Sequence, residues 1–431
     1  MKPLSCRDRL EHALVRIAAP DGEGARTCPV VYSEAARAAA DAADARAAVG
    51  VSLGPLDGTV VTVKELFDVA GEPTRAGSKI LAEEAAPAKA DAVIVRRLRA
   101  CGAVIVAKTS MTEFAFSAVG ANPHFGTPGN PRDRARVPGG SSAGAAVAVA
   151  DNMCQIAIGS DTGGSVRIPA ALCGIVGFKP SRRRIPTEGA FPLSFSLDSI
   201  GPLAHTVADC AKADAVMAGE DFVPPAPTAL AGLRFGIVEG VPLEGLDDTV
   251  ATAFAAAVRR LDGAGVRVTR ETLELLDGMA AIDARGGIIA AEAFAIHRDR
   301  MHRRAADVDP NVRARIERGG TVLAGDYIEI MRERERLVHA MDARLAFLDV
   351  LVMPTTPIVA PTIAEVADAK MFVQRNLALR RNTTIVNFFD LCAISLPLPA
   401  SLPVGLMLIA RNGQDHRLLR IAAATAELLR T

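Results

Sequence analysis

Hydrophobic positions along the chain follow two patterns, and each predicts a different element. Leu10, Leu14 and Ile17 recur every three or four positions, which is the spacing of one buried helix face. Short apolar runs between turn residues, such as the valines of 60–63, are typical of buried strands. Strands are predicted at 59–63, 103–107, 155–158, 174–178, 233–238, 350–353, 393–396 and 404–409. Helices are predicted at 7–18, 33–48, 92–100, 145–150, 166–173, 206–218, 249–263, most of 288–347, and 415–429. This alternation predicts an α/β fold whose central sheet is covered by helices on both faces.

A stretch rich in glycine and serine stands out from this pattern at 139–180. Its sequence is GGSSAGAAVAVADNMCQIAIGSDTGGSVRIPAALCGIVGFKP, with one glycine-rich turn before Ser141 and another before Ser165. Glycine lets the backbone turn sharply and lets another group approach closely. Paired glycines before a serine therefore indicate backbone N–H groups directed at a ligand beside a hydroxyl. For either turn taken alone, a serine that caps a helix is the ordinary alternative.

A serine hydroxyl becomes a nucleophile only when a neighbouring base takes its proton. The seven histidines of the chain have no motif around them, and we expect them at the surface or in loops. Lys64 follows the apolar run 60–63, where burial would lower its pKa and allow it to act as a base. A solvated lysine at the end of a strand is the alternative for this residue alone.

Composition narrows the function classes. The 431-residue chain has 49 basic and 49 acidic residues, so nothing indicates a surface for nucleic acid or a membrane. Its seven cysteines are scattered, without the spacing of a disulfide scaffold or a zinc site. The N-terminal segment does not resemble a signal peptide, and no apolar run has the length of a membrane span. We therefore expect a cytoplasmic protein with no metal and no cofactor.

Taken together, the two serine turns resemble the signature of the amidase signature family. The resemblance rests on both serines, 24 positions apart, and on the segment 166–174 after the second serine. The segment GTVVTVKE, which ends one residue after Lys64, resembles the family's lysine motif. The resemblance implies a Ser–Ser–Lys triad in which Ser165 is the acylated nucleophile, Ser141 the bridging serine and Lys64 the base. It also implies a cis peptide bond between Gly140 and Ser141.

The resemblance extends to the surroundings of the triad. It implies that the backbone N–H groups of the loop before and at the nucleophile form the oxyanion hole; these belong to Thr162, Gly163, Gly164 and Ser165. It places two residues, Ala115 and Ser117, at the acyl site. We expect Asp161 to brace the loop through hydrogen bonds, and Arg167 to form a structural ion pair rather than to bind substrate.

The resemblance covers residues 50–210 and 348–430, while 220–345 is not recognisable. It implies one amidase domain over 1–431, with a mixed central sheet. The predicted parts are a helical N-terminal segment (1–50), a triad-bearing core (50–210), a variable, mostly helical region (220–345) and a C-terminal part of the core (348–430).

The activity implied is hydrolysis of the C–N bond of a small carboxamide, with release of ammonia or an amine. We expect a small-molecule amide as the binding partner and leave a homodimer open. Ala115, Phe116, Phe191, Phe195 and Met407 predict an apolar acyl pocket, suited to an aliphatic or aromatic group.

Two alternatives within the family stay open: the amidase subunit of a tRNA-dependent amidotransferase, and an inactive binding protein of the same fold. Outside the family, Gly140, Ser142 and Gly144 fit the nucleophile-elbow pattern of α/β-hydrolases, but the charged segment 132–138 precedes them instead of a strand. The two common glycine-rich phosphate-binding patterns do not occur.

Overall fold

The computed structural model describes residues 4–430. Within this part of the chain, eleven strands form one sheet. The strands β1 to β11, in chain order, are Val30–Val31, Val60–Lys64, Val104–Thr109, Ile156–Ser160, Val176–Lys179, Ile200–Ala204, Arg234–Val238, Arg267–Glu271, Val350–Pro354, Cys392–Leu398 and Val404–Ala410. Their spatial order is β1-β3-β2-β4-β6-β5-β10-β11-β9-β7-β8.

Sixteen α-helices accompany these strands in residues 4–430. The helices α1 to α16 are Cys6–Ala18, Gly24–Thr27, Ser33–Ala48, Lys79–Glu84, Val93–Ala100, Ala143–Ala150, Arg167–Cys173, Val207–Ala218, Asp248–Gly263, Leu275–Ala284, Ile288–Arg304, Pro310–Gly319, Ala324–Arg344, Ile363–Val366, Ala369–Phe388 and Asp415–Arg430. The predicted α/β class is confirmed.

Strand direction changes across the sheet, as the family resemblance implied. β2 runs parallel to both β3 and β4, and β7 runs parallel to β8 and β9. The strands between these two groups pair antiparallel, from β4 through β6, β5, β10 and β11 to β9. The sheet is therefore mixed, and it runs through all three predicted parts of the chain from residue 50 onwards.

Helices cover both faces of the sheet near β2 and β4. Side chains alternate across a strand, so neighbouring residues face opposite sides. Val61 and Ile158 pack into a core with helices α5, α8, α9 and α16. Val60 and Ala157 pack into a second core with α1, α3, α6 and α7. Strands whose residues are apolar on both faces are thereby buried completely.

Several elements have no clear signal in the sequence. β8 lies at the edge of the sheet and is partly exposed, and its sequence RVTRE offers no apolar run. The second half of α15 is buried on every side although it contains asparagine and threonine, so its sequence lacks an amphipathic period. The sequence pattern does not predict β6 or α10 either.

The sheet brings the two halves of the predicted site to one edge. β2 ends at Lys64 and its parallel neighbour β4 ends at Ser160, with Val63 paired to Ile158. Helix α6 starts directly after the first serine turn, and α7 starts directly after the second. The carboxyl ends of β2 and β4 therefore face the two serine turns.

Candidate active site

The amine of Lys64 lies inside a cluster of serine hydroxyls. Its Nζ is 2.7 Å from Ser141 Oγ and 2.9 Å from both Ser142 Oγ and Ser160 Oγ. The side chain is completely buried. From the sequence, Ser141 is the only expected partner of Lys64. The structure adds Ser142 and Ser160. Ser160 ends β4, the parallel neighbour of β2, and the end of this strand is the sequence signal that points to it.

Burial determines the charge of this lysine. Desolvation lowers the pKa of Lys64 to about 7, although the carboxylates of Asp161, Asp198 and Glu65 act in the opposite direction. None of these three carboxylates makes a salt bridge with Lys64 among residues 4–430. A buried amine surrounded by neutral hydroxyls is therefore available in its neutral form near pH 7.

The segment 110–120 and the second serine turn hold the first serine turn in place. The Gly140 N–H donates to the Ala118 carbonyl (2.8 Å), and the Thr112 N–H donates to the Ser141 carbonyl (3.2 Å). The Ser142 N–H donates to the Ser165 carbonyl (3.3 Å), which joins the two turns. The peptide bond between Gly140 and Ser141 is cis, as the family resemblance implied.

The backbone conformation of the second serine turn requires glycine at position 164. Gly164 has a φ of +125°, and a Cβ there would collide with Thr383 Oγ1. The Thr383 hydroxyl donates to the Gly163 carbonyl (2.7 Å) and so fixes the adjacent peptide. Ser165 itself is 8% exposed, so its hydroxyl is within reach of a ligand.

A buried ion pair between Asp161 and Arg167 stabilises this turn. The Asp161 carboxylate accepts from the N–H groups of Gly164 (2.8 Å) and Val166 (3.1 Å). It also pairs with Arg167, with 2.9 Å between Nη2 and Oδ1, and both side chains are fully buried. Although burial opposes it, the guanidinium holds the pKa of Asp161 well below its usual range. The structure thus contains the brace and the ion pair that the sequence predicted.

Not all of the four expected oxyanion donors are free. The Gly164 N–H already donates to Asp161. Within residues 4–430, the N–H groups of Thr162, Gly163 and Ser165 make no hydrogen bond. Three backbone donors therefore remain for a ligand in this turn.

Two cavities lie beside the turn. The first, of about 140 Å³, is lined by Phe116, Leu197, Ile282, Asp283, Gly286, Gly287, Ile288, Ile289, Ala290, Arg315, Arg318, Arg380, Thr384 and Phe388. The second, of about 110 Å³, is lined by Leu66, Ala115, Ser160, Thr162, Thr187, Ala190, Phe191, Pro192, Leu193, Phe195, Asp198, Ser199 and Ile200.

The residues that the sequence predicts around an acyl group do not all line the same cavity. Ala115 lines the second cavity and Phe116 lines the first. The Ser117 hydroxyl accepts from the Val119 N–H (3.2 Å), so it is used within the protein. Met407 is fully buried, and its sulfur accepts a hydrogen bond from Arg167 instead of lining a cavity.

One expectation about the histidines is wrong. His297 is completely buried, and its ring stacks on Phe114 at 4.0 Å between centroids. Burial lowers the pKa of His297 to about 3, so this ring stays neutral. The sequence around it, AFAIHRD, carries no sign of this position, because the aromatic neighbour comes from a distant segment.

The described part of the chain, residues 4–430, contains no group of three or more His, Cys, Asp or Glu residues arranged to hold a metal ion. Its seven cysteines are free and buried. No helix in these residues is long and apolar enough to cross a membrane.

Comparisons with known proteins show the family of this chain. The family model described as Amidase matches residues 10–419, including the middle region where the sequence showed no resemblance. The 2-amino-5-chloromuconic acid deaminase of Comamonas testosteroni is 38% identical over 403 residues, which are 91% of this chain and 86% of that protein. A glutamyl-tRNA(Gln) amidotransferase subunit from Acidothermus cellulolyticus is 36% identical over 438 residues, covering 91% of this chain and 85% of the relative.

Among solved structures, an inhibitor-bound complex described as revealing the origins of an s-triazine catabolic enzyme superposes with a TM-score of 0.88. It is 33% identical, and the match covers 98% of this chain and 95% of the other. The family match over nearly the whole length, together with the two serine turns and the buried lysine, shows that this chain belongs to the amidase signature family.

Proposed function

We propose that this protein hydrolyses an amide C–N bond through an acyl-enzyme on Ser165, with Ser141 and Lys64 relaying the proton. The observation that carries this proposal is the 2.7 Å contact between the buried Lys64 amine and the Ser141 hydroxyl. Hydrolysis of an amide agrees with the family of this chain and with the activities named for its relatives.

The three hydroxyl partners of Lys64 allow an assignment of donors and lone pair that suits this relay. A neutral amine has two N–H donors and one lone pair. The Ser142 hydroxyl donates to the Ser160 carbonyl (3.3 Å), so its oxygen accepts from Lys64. We assign the second N–H to Ser160 Oγ and the lone pair to Ser141, the nearest of the three hydroxyls. Ser141 can then pass a proton to the amine.

In the acylation step, the Ser165 oxygen attacks the amide carbonyl carbon as its proton moves to Ser141 and the Ser141 proton moves to Lys64. The negative charge on the carbonyl oxygen is stabilised by the free N–H groups of Thr162, Gly163 and Ser165, since preorganised donors act where charge develops. The proton then returns through Ser141 to the leaving nitrogen, the C–N bond breaks, and ammonia or an amine departs.

In the deacylation step, water attacks the ester between the acyl group and Ser165. The same relay removes a proton from the water and returns one to the Ser165 oxygen. The products are a carboxylic acid and the regenerated enzyme, so the reaction needs no group that the chain lacks.

Labelling tests the assignment of the nucleophile. A serine-reactive fluorophosphonate should modify Ser165 in the purified protein, and the Ser165→Ala protein should lose both labelling and amide turnover while keeping its thermal unfolding curve. Ser52→Ala is the control, because this exposed serine lies outside both serine turns and makes no contact with Lys64; it should still be labelled. Sustained turnover by Ser165→Ala would contradict the proposal, and an unlabelled, inactive wild type would favour an inactive protein of the same fold.

Turnover also distinguishes the amidotransferase alternative. We expect the single chain to release ammonia or an amine without any partner protein. Activity confined to glutamine, and present only with partner proteins and tRNA, would replace the hydrolase with that alternative. The homodimer, the cytoplasmic location and the single domain over 1–431 stay predictions, which size-exclusion chromatography, cell fractionation and limited proteolysis would test.

A further inference from the structure

Three arginine side chains line the first cavity. Arg315 and Arg318 come from α12, and Arg380 comes from α15. No salt bridge forms at any of the three among residues 4–430; Arg315 and Arg380 are half-buried, and Arg318 is exposed. By contrast, the buried Arg167 and Arg334 each pair with a carboxylate. Among the described residues, these three guanidiniums therefore have no ion-pair partner.

The contacts of the three guanidiniums leave most of their donors unused. Arg315 donates to the Phe116 carbonyl, and its charged group lies 4.1 Å above the Phe116 ring. Arg318 donates to the backbone carbonyl of Asp283 (3.0 Å). Arg380 Nε is buried and has no hydrogen-bond partner. Since each guanidinium carries five N–H donors, the cavity presents an excess of donors.

The charge balance of the cavity is positive. Its lining includes one carboxylate, Asp283, against three arginines. Burial and the neighbouring charges of Arg380 and Arg318 lower the pKa of Arg315 to about 9, with Asp309 acting in the opposite direction. A cluster of like charges without a carboxylate partner favours an anion with matching acceptors.

The cavity adjoins the proposed oxyanion hole. A Cβ at Gly163 would lie 3.6 Å from Thr384 Oγ1 and 3.9 Å from Ile289 Cδ1, and both of these side chains line the cavity. The Thr384 hydroxyl donates to the Arg380 carbonyl (2.7 Å), which ties the arginine-bearing turn of α15 to the same wall. Thr384 and Ile289 therefore form a wall that contacts both the arginine-lined cavity and Gly163.

We propose that Arg315, Arg318 and Arg380 bind a carboxylate of the substrate, and that the substrates are monoamides of small dicarboxylic acids. This inference rests on the proposed function, because it places the second functional group of the substrate relative to the scissile amide. Arginine suits this role, since its planar group binds a carboxylate through two parallel hydrogen bonds. The second cavity has apolar side chains and Asp198 but no cation, so the acidic end belongs in the first.

This substrate class differs from the apolar acyl pocket expected from the sequence, of which Ala115, Phe191 and Phe195 line the second cavity. Arg315 and Arg318 lie in the region 220–345, which carries no resemblance, whereas Arg380 lies in 348–430, which does. Only the fold brings the three arginines to one cavity. An aliphatic or aromatic amide would leave all three charges without a partner.

Binding measured by calorimetry tests the proposal without requiring turnover. Succinate, glutarate and adipate are titrated into the purified full-length protein, and each is compared with the matched neutral diamide. We expect at least one dicarboxylate to bind about 10–100-fold more tightly than its diamide, as charge-assisted hydrogen bonds predict. The monoamides of the same acids should be hydrolysed with a kcat/KM higher by a similar factor than the diamides.

Variants assign the effect to the cavity. Arg315→Gln and Arg380→Gln should remove most of the preference for the acid, and the Lys variants at both positions should retain part of it. Arg313→Gln and Arg381→Gln are matched controls on the same two helices. Arg313 faces Glu317 at 3.7 Å and Arg381 donates to the Glu244 carbonyl, so both should keep the preference.

The outcomes separate this inference from the proposed function. Equal affinity for dicarboxylates and diamides, or a preference that survives both cavity Gln variants in folded protein, would overturn the carboxylate site. In that case fluorophosphonate labelling of Ser165 and hydrolysis of neutral amides would leave the proposed hydrolase intact. If Ser165 is not labelled but dicarboxylate binding depends on Arg315 and Arg380, the site stands and the catalytic proposal fails.

Discussion

The depressed pKa of Lys64 gives the proposed relay a definite pH dependence. Its pKa falls from an ordinary 10.5 to about 7 because the amine is desolvated. A shift of this size corresponds to about 5 kcal/mol. At pH 7 about half of the amine is neutral, whereas about one molecule in 3,000 would be neutral without the shift. Burial of Lys64 thus raises the population of the active base by about three orders of magnitude.

The rate of fluorophosphonate inactivation reports this population without a known substrate. We would measure the second-order rate constant for labelling of Ser165 by intact mass from pH 5 to pH 10, at constant ionic strength. The rate constant should rise about tenfold per pH unit below pH 7 and level off above it, because only neutral Lys64 accepts the proton. Reagent hydrolysis, measured in parallel at each pH, is the control.

Replacement of the lysine completes this test. Lys64→Ala should label at least about 100-fold more slowly on the plateau and lose the inflection near pH 7. A wild-type rate that climbs without a break to pH 10 would show that the lysine keeps its ordinary pKa. An inflection that persists in Lys64→Ala would show that another group is the base.

The same shift affects stability, with a sign that follows from proton binding. Between pH 7 and 10.5 the unfolded lysine holds a proton that the folded one does not, so stability due to this group increases with pH across that window. The free energy of unfolding in urea, taken as wild type minus Lys64→Met, should therefore increase from pH 7 to pH 10. A flat difference would contradict the burial argument.

Two further predictions concern the second serine turn. Gly164→Ala should abolish Ser165 labelling and lower the thermal midpoint, because the positive φ and the contact with Thr383 leave no room for a methyl group; normal labelling would show that the turn can rearrange. Asp161→Asn should destabilise the protein by about 3–5 kcal/mol in urea unfolding, because it leaves the buried Arg167 charge without its anion; Asp209→Asn, at a partly exposed pair with Lys212, is the control and should cost under about 1 kcal/mol.

Much of the fold and of the candidate active site could be predicted from local sequence. Apolar runs of strand length indicate most of the sheet, because strands buried on both faces leave a continuous hydrophobic signal. The paired glycines before Ser141 and Ser165 mark sharp turns, and at Gly164 the turn requires glycine. The apolar run before Lys64 indicates its burial, since a polar group that ends a buried strand enters the interior.

Other features depend on contacts between distant segments. Ser160 becomes a partner of Lys64 only because β4 pairs in parallel with β2 and both strands end at the same edge. His297 is buried because Phe114 and Phe191, from far earlier in the chain, stack around it. The Gly164 N–H, expected as an oxyanion donor, donates instead to the Asp161 carboxylate. The local sequence gives no sign of this hydrogen bond.

The first cavity shows this division most clearly. Composition gives a net charge of zero, which by itself indicates no acidic ligand. Local sequence determined that arginines occur in α12 and α15, yet arginines on helices are ordinarily solvated. Tertiary structure decided that three of them face one cavity beside Gly163, with a single carboxylate among them. Which arginines share a cavity, and which carboxylates stand near them, depends on how helices that are far apart in sequence are placed, and local sequence does not encode that placement.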